Sequence, residues 1–304
     1  AQFFKSSSYR QRVSNLAAGA NINNLRNEHL DELQLYVPTK NGKPDLDEQK
    51  RIAAILDKAD AIRRKRQHAL RLTDDFLRSV FLDMFGDPVT NPKGWDTDLL
   101  GNRTALDAPM VNPDDPEYEG LLHYGPDRIE KDTGRLMPAQ TAKEDGLISK
   151  KFLCDDRYLL YSKIRPYLNK VALVEESCLC SADVYPVRPA DSSLTREFLW
   201  FLLRSRSFLR YADSCASRAN IPKMNRKEFA AYEAIIPPEE LQMKFSTIVK
   251  RTRESFDTNR AAFDASGDLF GSLQQRAFRG ELCLCESILL DHRTNPIHSS
   301  TQPY

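Results

Sequence analysis

The densest grouping of side chains able to do chemistry is Tyr161-Ser162-Lys163-Ile164-Arg165-Pro166-Tyr167-Leu168-Asn169-Lys170. Cations placed there can neutralise phosphates, and Arg, Lys and Asn can hydrogen-bond the edges of bases. A second run, Ser217-Arg218-Ala219-Asn220-Ile221-Pro222-Lys223-Met224-Asn225-Arg226-Lys227, repeats the mixture. Lys163, Arg165, Tyr167, Asn169 and Lys170, with Arg218, Asn220, Lys223 and Arg226, are therefore the candidate nucleic-acid-facing residues. The competing explanation is a pair of solvated basic loops. Arg63-Arg64-Lys65-Arg66 is a weaker signal, because long helices carry such solvated faces routinely.

Catalytic signatures are missing from the sequence. No GxxxxGK[ST] run offers backbone donors and a lysine to a nucleotide phosphate, and no GxGxxG fingerprint is present. Asp87-Pro88-Val89 and Asn295-Pro296-Ile297 fall short of the Asn/Asp-Pro-Pro-aromatic loop that grips an amine in DNA methyl transfer. Pro44-Asp45 followed by Glu48-Gln49-Lys50 has the residue types of a metal nuclease. Its carboxylates, however, stand at the start of an expected helix, where acidic residues are favoured anyway. The five histidines are scattered; Cys283, Cys285, His292 and His298 form the one near-cluster, in a segment expected to be a mobile tail. Cys154, Cys178, Cys180 and Cys215 are expected to be small core residues. Neither catalytic nor metal-binding residues are assigned.

Positioning these loops requires elements, and two stand out. Asp45 to Phe85 contains no Gly and no Pro; Glu239 to Phe278 contains no Pro, with Gly only at 267 and 271. Each predicts one helix of about 40 residues, roughly 60 Å at 1.5 Å per residue. The two are related. Displaced by 193 positions, Ile52, Leu56, Ala59, Leu70, Thr73, Leu77 and Val80 fall on Phe245, Val249, Thr252, Phe263, Ser266, Phe270 and Leu273. That 4–3 spacing is a heptad seam, so Ile52, Leu56, Leu70, Leu77, Phe245, Phe256, Phe263 and Phe270 are the expected partner-helix seam. Arg63 coincides with Phe256 and Arg66 with Asn259, a polar layer near the middle. Upstream, Ala20-Asn21-Ile22 matches Ala219-Asn220-Ile221, and a strand-like segment ending in proline (33–38 and 232–237) precedes each helix.

Between the helices, short segments broken by turns such as Asn112-Pro113-Asp114-Asp115-Pro116 predict a mixed domain. Residues 158–164 and 170–175 are expected strands, and 194–216 one amphipathic helix. Charge is uneven: 93–149 hold 6 basic and 12 acidic side chains, 150–229 hold 15 and 9, so one basic face is expected. The whole chain has 44 Lys+Arg against 43 Asp+Glu over 304 residues, which excludes a uniformly basic coat. Six cysteines do not make a secreted disulfide framework, and neither a membrane span nor a signal peptide is evident, so a cytoplasmic location is expected. The sequence opens at Ala1, so part of a longer chain can be missing.

Several segments resemble one family. Leu46-Asp47-Glu48-Gln49-Lys50-Arg51-Ile52-Ala53-Ala54-Ile55-Leu56-Asp57 resembles the start of the spacer helix in specificity (S, HsdS) subunits of type I restriction-modification systems. Phe81-Leu82-Asp83-Met84-Phe85-Gly86-Asp87-Pro88, continuing to Trp95, resembles the passage into the second target-recognition domain. Residues 272–282 resemble the end of the second spacer helix, and 19–22 and 218–222 the ends of the two recognition domains. The resemblance covers residues 1 to about 282.

It implies an α+β chain: one mixed α/β target-recognition domain between two long helices that pair as an antiparallel coiled coil. The expected division is 1–44 (the end of a first recognition domain), 45–86 (spacer helix 1), 87–238 (recognition domain), 239–281 (spacer helix 2) and 282–304 (flexible tail). The implied role is a non-catalytic DNA-specificity subunit that reads half of a bipartite double-stranded target. Its helices would dock methyltransferase (M) subunits, joined by a restriction (R) subunit. S-adenosylmethionine, ATP and Mg would belong to those partners, with no cofactor in this chain. The chain departs from the family plan in that only about 40 residues precede the first helix. A shortened chain, a partial gene or a half-subunit pairing with a second copy of itself would each account for that. The alternative from another class is a coiled-coil interaction protein, or an S fragment that occupies M subunits without specific recognition.

Overall fold

The computed structural model describes residues 7–16, 35–216, 222–282 and 287–290. Two compact units emerge: residues 1–73 with 255–304, and residues 74–254. The long helices α2 (Leu46–Phe85) and α7 (Glu239–Phe278), 40 residues each, contribute to both.

In the first unit, α1 (Ser7–Leu16) precedes a hairpin of β1 (Leu35–Lys40) and β2 (Lys43–Pro44). Its turn is Asn41-Gly42, both at positive φ (52° and 72°), the pair that a tight hairpin favours. The strand thus runs through Pro38 and turns back before the helix, where the sequence had suggested a strand ending at that proline. Asp45 starts α2 by accepting the N–H groups of Asp47 and Glu48 at 3.0 Å each. Glu48 in turn receives Arg51 through two bonds of 2.8 Å. The carboxylates that imitate a nuclease motif are spent on capping and on the helix surface. The first part of α2 runs antiparallel to the last part of α7: Ile52, Leu56 and Ala277 are buried together, flanked by Phe270, Leu273, Phe278 and Leu282. Arg51 also reaches the carbonyl of Leu282 at 2.6 Å. Residues 287–290, expected in a mobile tail, form β13 (Ser287–Leu290), antiparallel to β1 with Leu35 opposite Leu290. An apolar Ile-Leu-Leu run beside an open strand edge supplies the reason.

The second unit holds three sheets. β3 (Asp96–Leu99) pairs antiparallel with β12 (Glu233–Ile236) and leads into the short helix α3 (Leu100–Arg103). A four-stranded sheet has the order β4 (Thr104–Ala105), β11 (Val184–Pro189), β8 (Leu159–Ser162), β9 (Val171–Leu173). Another orders β5 (Met110–Val111), β7 (Lys151–Cys154), β10 (Cys178–Cys180) and β6 (His123–Tyr124). Leu159 and Tyr161 of β8 enter the main core and Leu160 a second core with Cys154, Cys178 and Cys180, the period-two alternation of a strand buried on both faces.

The single helix expected over 194–216 is two. α4 (Arg196–Arg204) and α5 (Arg206–Ala216) part at Ser205, whose extended backbone (ψ 153°) ends one helix while its hydroxyl accepts the N–H of Phe208 at 3.2 Å. Nearly all of α4 is buried. Phe198 and Phe201 join Phe81, Phe85 and Phe245 in one aromatic cluster with centroids 4.7–5.6 Å apart. This cluster fastens the end of α2 and the start of α7 to the sheet domain. Gln242, fully buried, completes the join: its amide accepts the Thr195 N–H at 2.9 Å and donates to the carbonyls of Ser193 and Pro237 at 2.8 Å. The chain leaves α2 through Gly86 (φ 79°), and the Lys93 ammonium covers the last carbonyls at Asp83 and Met84.

Among the expected seam residues, Ile52, Leu56, Leu70, Leu77 and Phe245 are buried, while Phe256, Phe263 and Phe270 are half-buried. Near the expected polar layer, Arg63 pairs with Asp60 at 2.7 Å and lies 5.6 Å over the ring of Phe270, and Arg66 donates to the carbonyl of Ala262. No helix among the described residues is long and apolar enough to cross a membrane.

Candidate nucleic-acid interface

The two basic runs, 60 residues apart in sequence, meet in space. Ile164 and Lys223 form an isolated antiparallel bridge. The Arg165 N–H donates to the carbonyl of Pro222 at 2.7 Å, and the Met224 N–H to that of Lys163 at 3.0 Å. Met224 anchors the junction from beneath. Fully buried, it accepts the Tyr161 hydroxyl at its sulfur (3.6 Å) and the Tyr185 hydroxyl at its carbonyl (3.2 Å). Asn225 then opens α6 (Arg226–Ala230) with a reciprocal cap, accepting the Glu228 N–H at 3.0 Å while the Glu228 carboxylate accepts the Asn225 N–H at 2.8 Å.

The first loop holds two residues in the left-handed region, Arg165 (φ 49°) and Asn169 (φ 51°), either side of a 3-10 turn over Pro166–Leu168. Pro166 is buried and sets the turn; Arg165 and Tyr167 are thrown outward, Tyr167 to 50% exposure. Neither side chain has a partner among the described residues. Lys223 and Arg226 are exposed as well, Arg226 lying 5.8 Å over the ring of Tyr185.

The remaining candidates are committed internally. The Lys163 ammonium donates to the carbonyl of Ala182, pairs with Asp183 at 3.5 Å and sits 5.3 Å over Tyr185. Burial lowers its pKa below the ordinary lysine value, and the neighbouring Lys223 and Arg226 add to that against Asp183. Lys170 donates to the carbonyl of Pro126 at 2.6 Å. Asn169 is buried, its Oδ1 without a hydrogen bond. Arg218 and Asn220 lie outside the described residues. The arrangement thus gathers Arg165, Tyr167, Lys223 and Arg226 on one surface: three cations and an exposed ring, with Lys163 and Lys170 bracing the loop behind them.

Reading 194–216 as one helix hid Arg206 and Arg210, exposed cations that the break at Ser205 re-aims. The signal available was Ser205-Arg206-Ser207, polar residues interrupting an apolar stripe. Cys154, Cys178 and Cys180 are buried thiols, with Cys154 and Cys180 sulfurs 3.6 Å apart; hydrogen bonds among these thiols (the one from Cys178 alone acting to lower Cys154) and then burial raise the Cys154 and Cys178 pKa values far above the ordinary thiol range. Cys215 is half-buried at the end of α5. Among the described residues no His, Cys, Asp and Glu side chains converge as a metal site would require; Cys283, Cys285, His292 and His298 lie outside them.

The described residues thus place a mixed sheet domain between two 40-residue helices in the chain. Comparison with known proteins bears on this directly. No family model matches the chain. It is 34% identical over 173 residues to the type I restriction enzyme EcoDI specificity subunit of Escherichia coli, a match spanning 55% of this chain and 38% of that protein. The type I restriction-modification S subunit of M. genitalium has a similar fold, with a TM-score of 0.53 at 13% identity over 89% of this chain and 70% of that one. The HsdS subunit of Thermoanaerobacter tengcongensis aligns with a TM-score of 0.42 at 18% identity, over 92% and 68%. Over those 173 residues the chain is similar to a type I specificity subunit, and it spans well under half the length of that curated protein.

Proposed function

We propose that this chain is a DNA-recognition subunit of a type I restriction-modification complex, without catalytic residues of its own. The surface formed by Arg165, Tyr167, Lys223 and Arg226 faces one half of a bipartite double-stranded target, and α2 and α7 dock methyltransferase subunits. The restriction subunit joins through them. S-adenosylmethionine, ATP and Mg act on those partners, and a second copy of this chain can supply the other half-site. The observation that carries the reading is the meeting of two basic loops, distant in sequence, on one surface of a chain similar to a type I specificity subunit. Arginine and lysine in that setting offer both phosphate neutralisation and base-edge donors, and Tyr167 offers an apolar face.

The test is co-purification with the methyltransferase subunit encoded beside it, followed by mapping of methylated bases in host DNA. Adenine methylation at one split motif is the expected outcome, and a palindromic motif would point to two copies. A stable complex that leaves DNA unmethylated would favour the interaction-protein alternative. Absence of any complex would overturn the reading.

A further inference from the structure

Within the second unit, a cleft of about 240 Å³ opens at the break between α4 and α5. Four arginines line it, Arg78, Arg204, Arg206 and Arg210, against two aspartates, Asp74 and Asp87. Both carboxylates are already engaged: Asp74 accepts Arg204 at 3.1 Å, and Asp87 accepts the Val89 N–H at 2.7 Å. Arg78, Arg206 and Arg210 have no ion-pair partner among the described residues. Four guanidinium groups against two carboxylates leave the cleft a formal excess of two positive charges, so the arrangement favours a bound anion.

Two further features agree. The cleft includes Ser205, Arg206 and Ser207, the first turn of the 11-residue helix α5, where the dipole attracts negative charge. Arg204 is 7% exposed and stacked 4.2 Å from the Trp200 ring; its Nε–H is buried without an acceptor. A buried donor left unsatisfied is costly unless an acceptor, such as an anion's oxygen, or a water completes it.

We propose that this cleft binds a phosphate group, gripped by Arg78, Arg206 and Arg210 at the N-terminus of α5, with Arg204 held as a rigid floor. The planar arginine fork matches phosphate oxygens. The phosphate comes either from a DNA backbone or from a small phosphate compound. The backbone source rests on the proposed DNA-recognition role; the small-compound source does not.

The experiment compares the full chain with its Arg206→Gln and Arg210→Gln variants, two exposed positions whose replacement leaves the buried Arg204 in place. Duplex binding is followed across salt concentrations, on target and random sequence, and thermal stability is followed against added inorganic phosphate and ADP. If the phosphate is DNA's, each variant lowers the log–log salt slope by about one, equally on both duplexes. If it is a free phosphate, the slope stays put while phosphate or ADP raises the wild-type Tm progressively, logarithmically once ligand exceeds its Kd, and fails to raise that of the variants. A chain that binds no duplex but shows this Tm response would sink the DNA role and uphold the site. Unchanged slopes together with phosphate-independent Tm values would overturn the proposal, as would phosphate stabilising wild type and variants alike.

Discussion

Arg165 and Lys163 stand two residues apart and differ in what each has left to offer a ligand. Arg165 is exposed on a left-handed backbone and unpaired, whereas the Lys163 ammonium is spent on Asp183, Ala182 and Tyr185. Arg165→Ala should therefore weaken target binding by about 1–3 kcal/mol if it reads a base, or lower the salt slope by about one if it holds a phosphate. Lys163→Ala should do neither to that extent; fluorescence anisotropy against salt separates them. A different residue sets an acid limit. Asp107 accepts Arg188 Nε at 2.9 Å and the Tyr158 hydroxyl at 3.1 Å, and the Arg188 hydrogen bond, helped by Tyr158, holds its carboxyl below the usual aspartate range. A lowered folded-state pKa contributes stability that is fully present above the unfolded value near ~3.9 and is lost as pH falls through the folded value. Because Asp107 is 48% exposed, that contribution is screened to about 0.5 kcal/mol. Asp107→Asn should be less stable at neutral pH by about that amount and converge with wild type once the pH falls below the lowered folded-state pKa of Asp107, as read by urea melts at each pH.

At the scale of elements, two positions are expected to dominate stability. Gly134 sits at φ 65° with the Val171 carbonyl oxygen 2.0 Å from where a Cβ would be. That strand oxygen, which also accepts the Trp200 indole N–H at 2.9 Å, cannot yield as a side-chain end would, so Gly134→Ala should cost about 3 kcal/mol or more. Phe81, buried among four other phenyl rings, should cost about 3–5 kcal/mol as Phe81→Ala. Urea unfolding of each variant measures both. The same scale shows what the sequence could convey. The 40-residue helices were legible because a proline-free heptad spacing is a local signal repeated over many turns. The strands at 159–162 and 171–173 were legible as β-rich runs between turns. The break at Ser205 left only a faint mark, the polar Ser205-Arg206-Ser207, because amphipathic spacing continues on both sides and only the serine's backbone departs from the helix. The strand at 287–290 was hidden by flanking turn residues, its pairing with β1 being a contact across some 250 positions. Of the candidate site, residue types were legible and proximity was not: the bridge from Ile164 to Lys223 depends on Met224 seated between two tyrosines, which no local pattern encodes.

For the molecule as a whole, the exposed faces of the long helices are what a partner would meet. Phe76 is 51% exposed on α2, in the stretch that belongs to the second unit. If the helices dock methyltransferase subunits, Phe76→Glu should abolish co-purification while shifting stability by no more than about 0.5 kcal/mol, the usual range for a surface change. A pull-down paired with a thermal melt would show both, and retained complex would move the docking surface elsewhere. The aromatic cluster joining Phe85 to Phe245 at 5.4 Å has one more consequence. It brings the point where the chain enters the sheet domain beside the point where it leaves. A domain whose two ends meet behaves as an exchangeable cassette. If the sheet domain reads DNA as proposed, recombination near residues 86 and 238 could replace everything between them, and with it the sequence recognised, while the helices continued in register. New specificity could then be inherited as a single crossover pair, without rebuilding the scaffold that holds it.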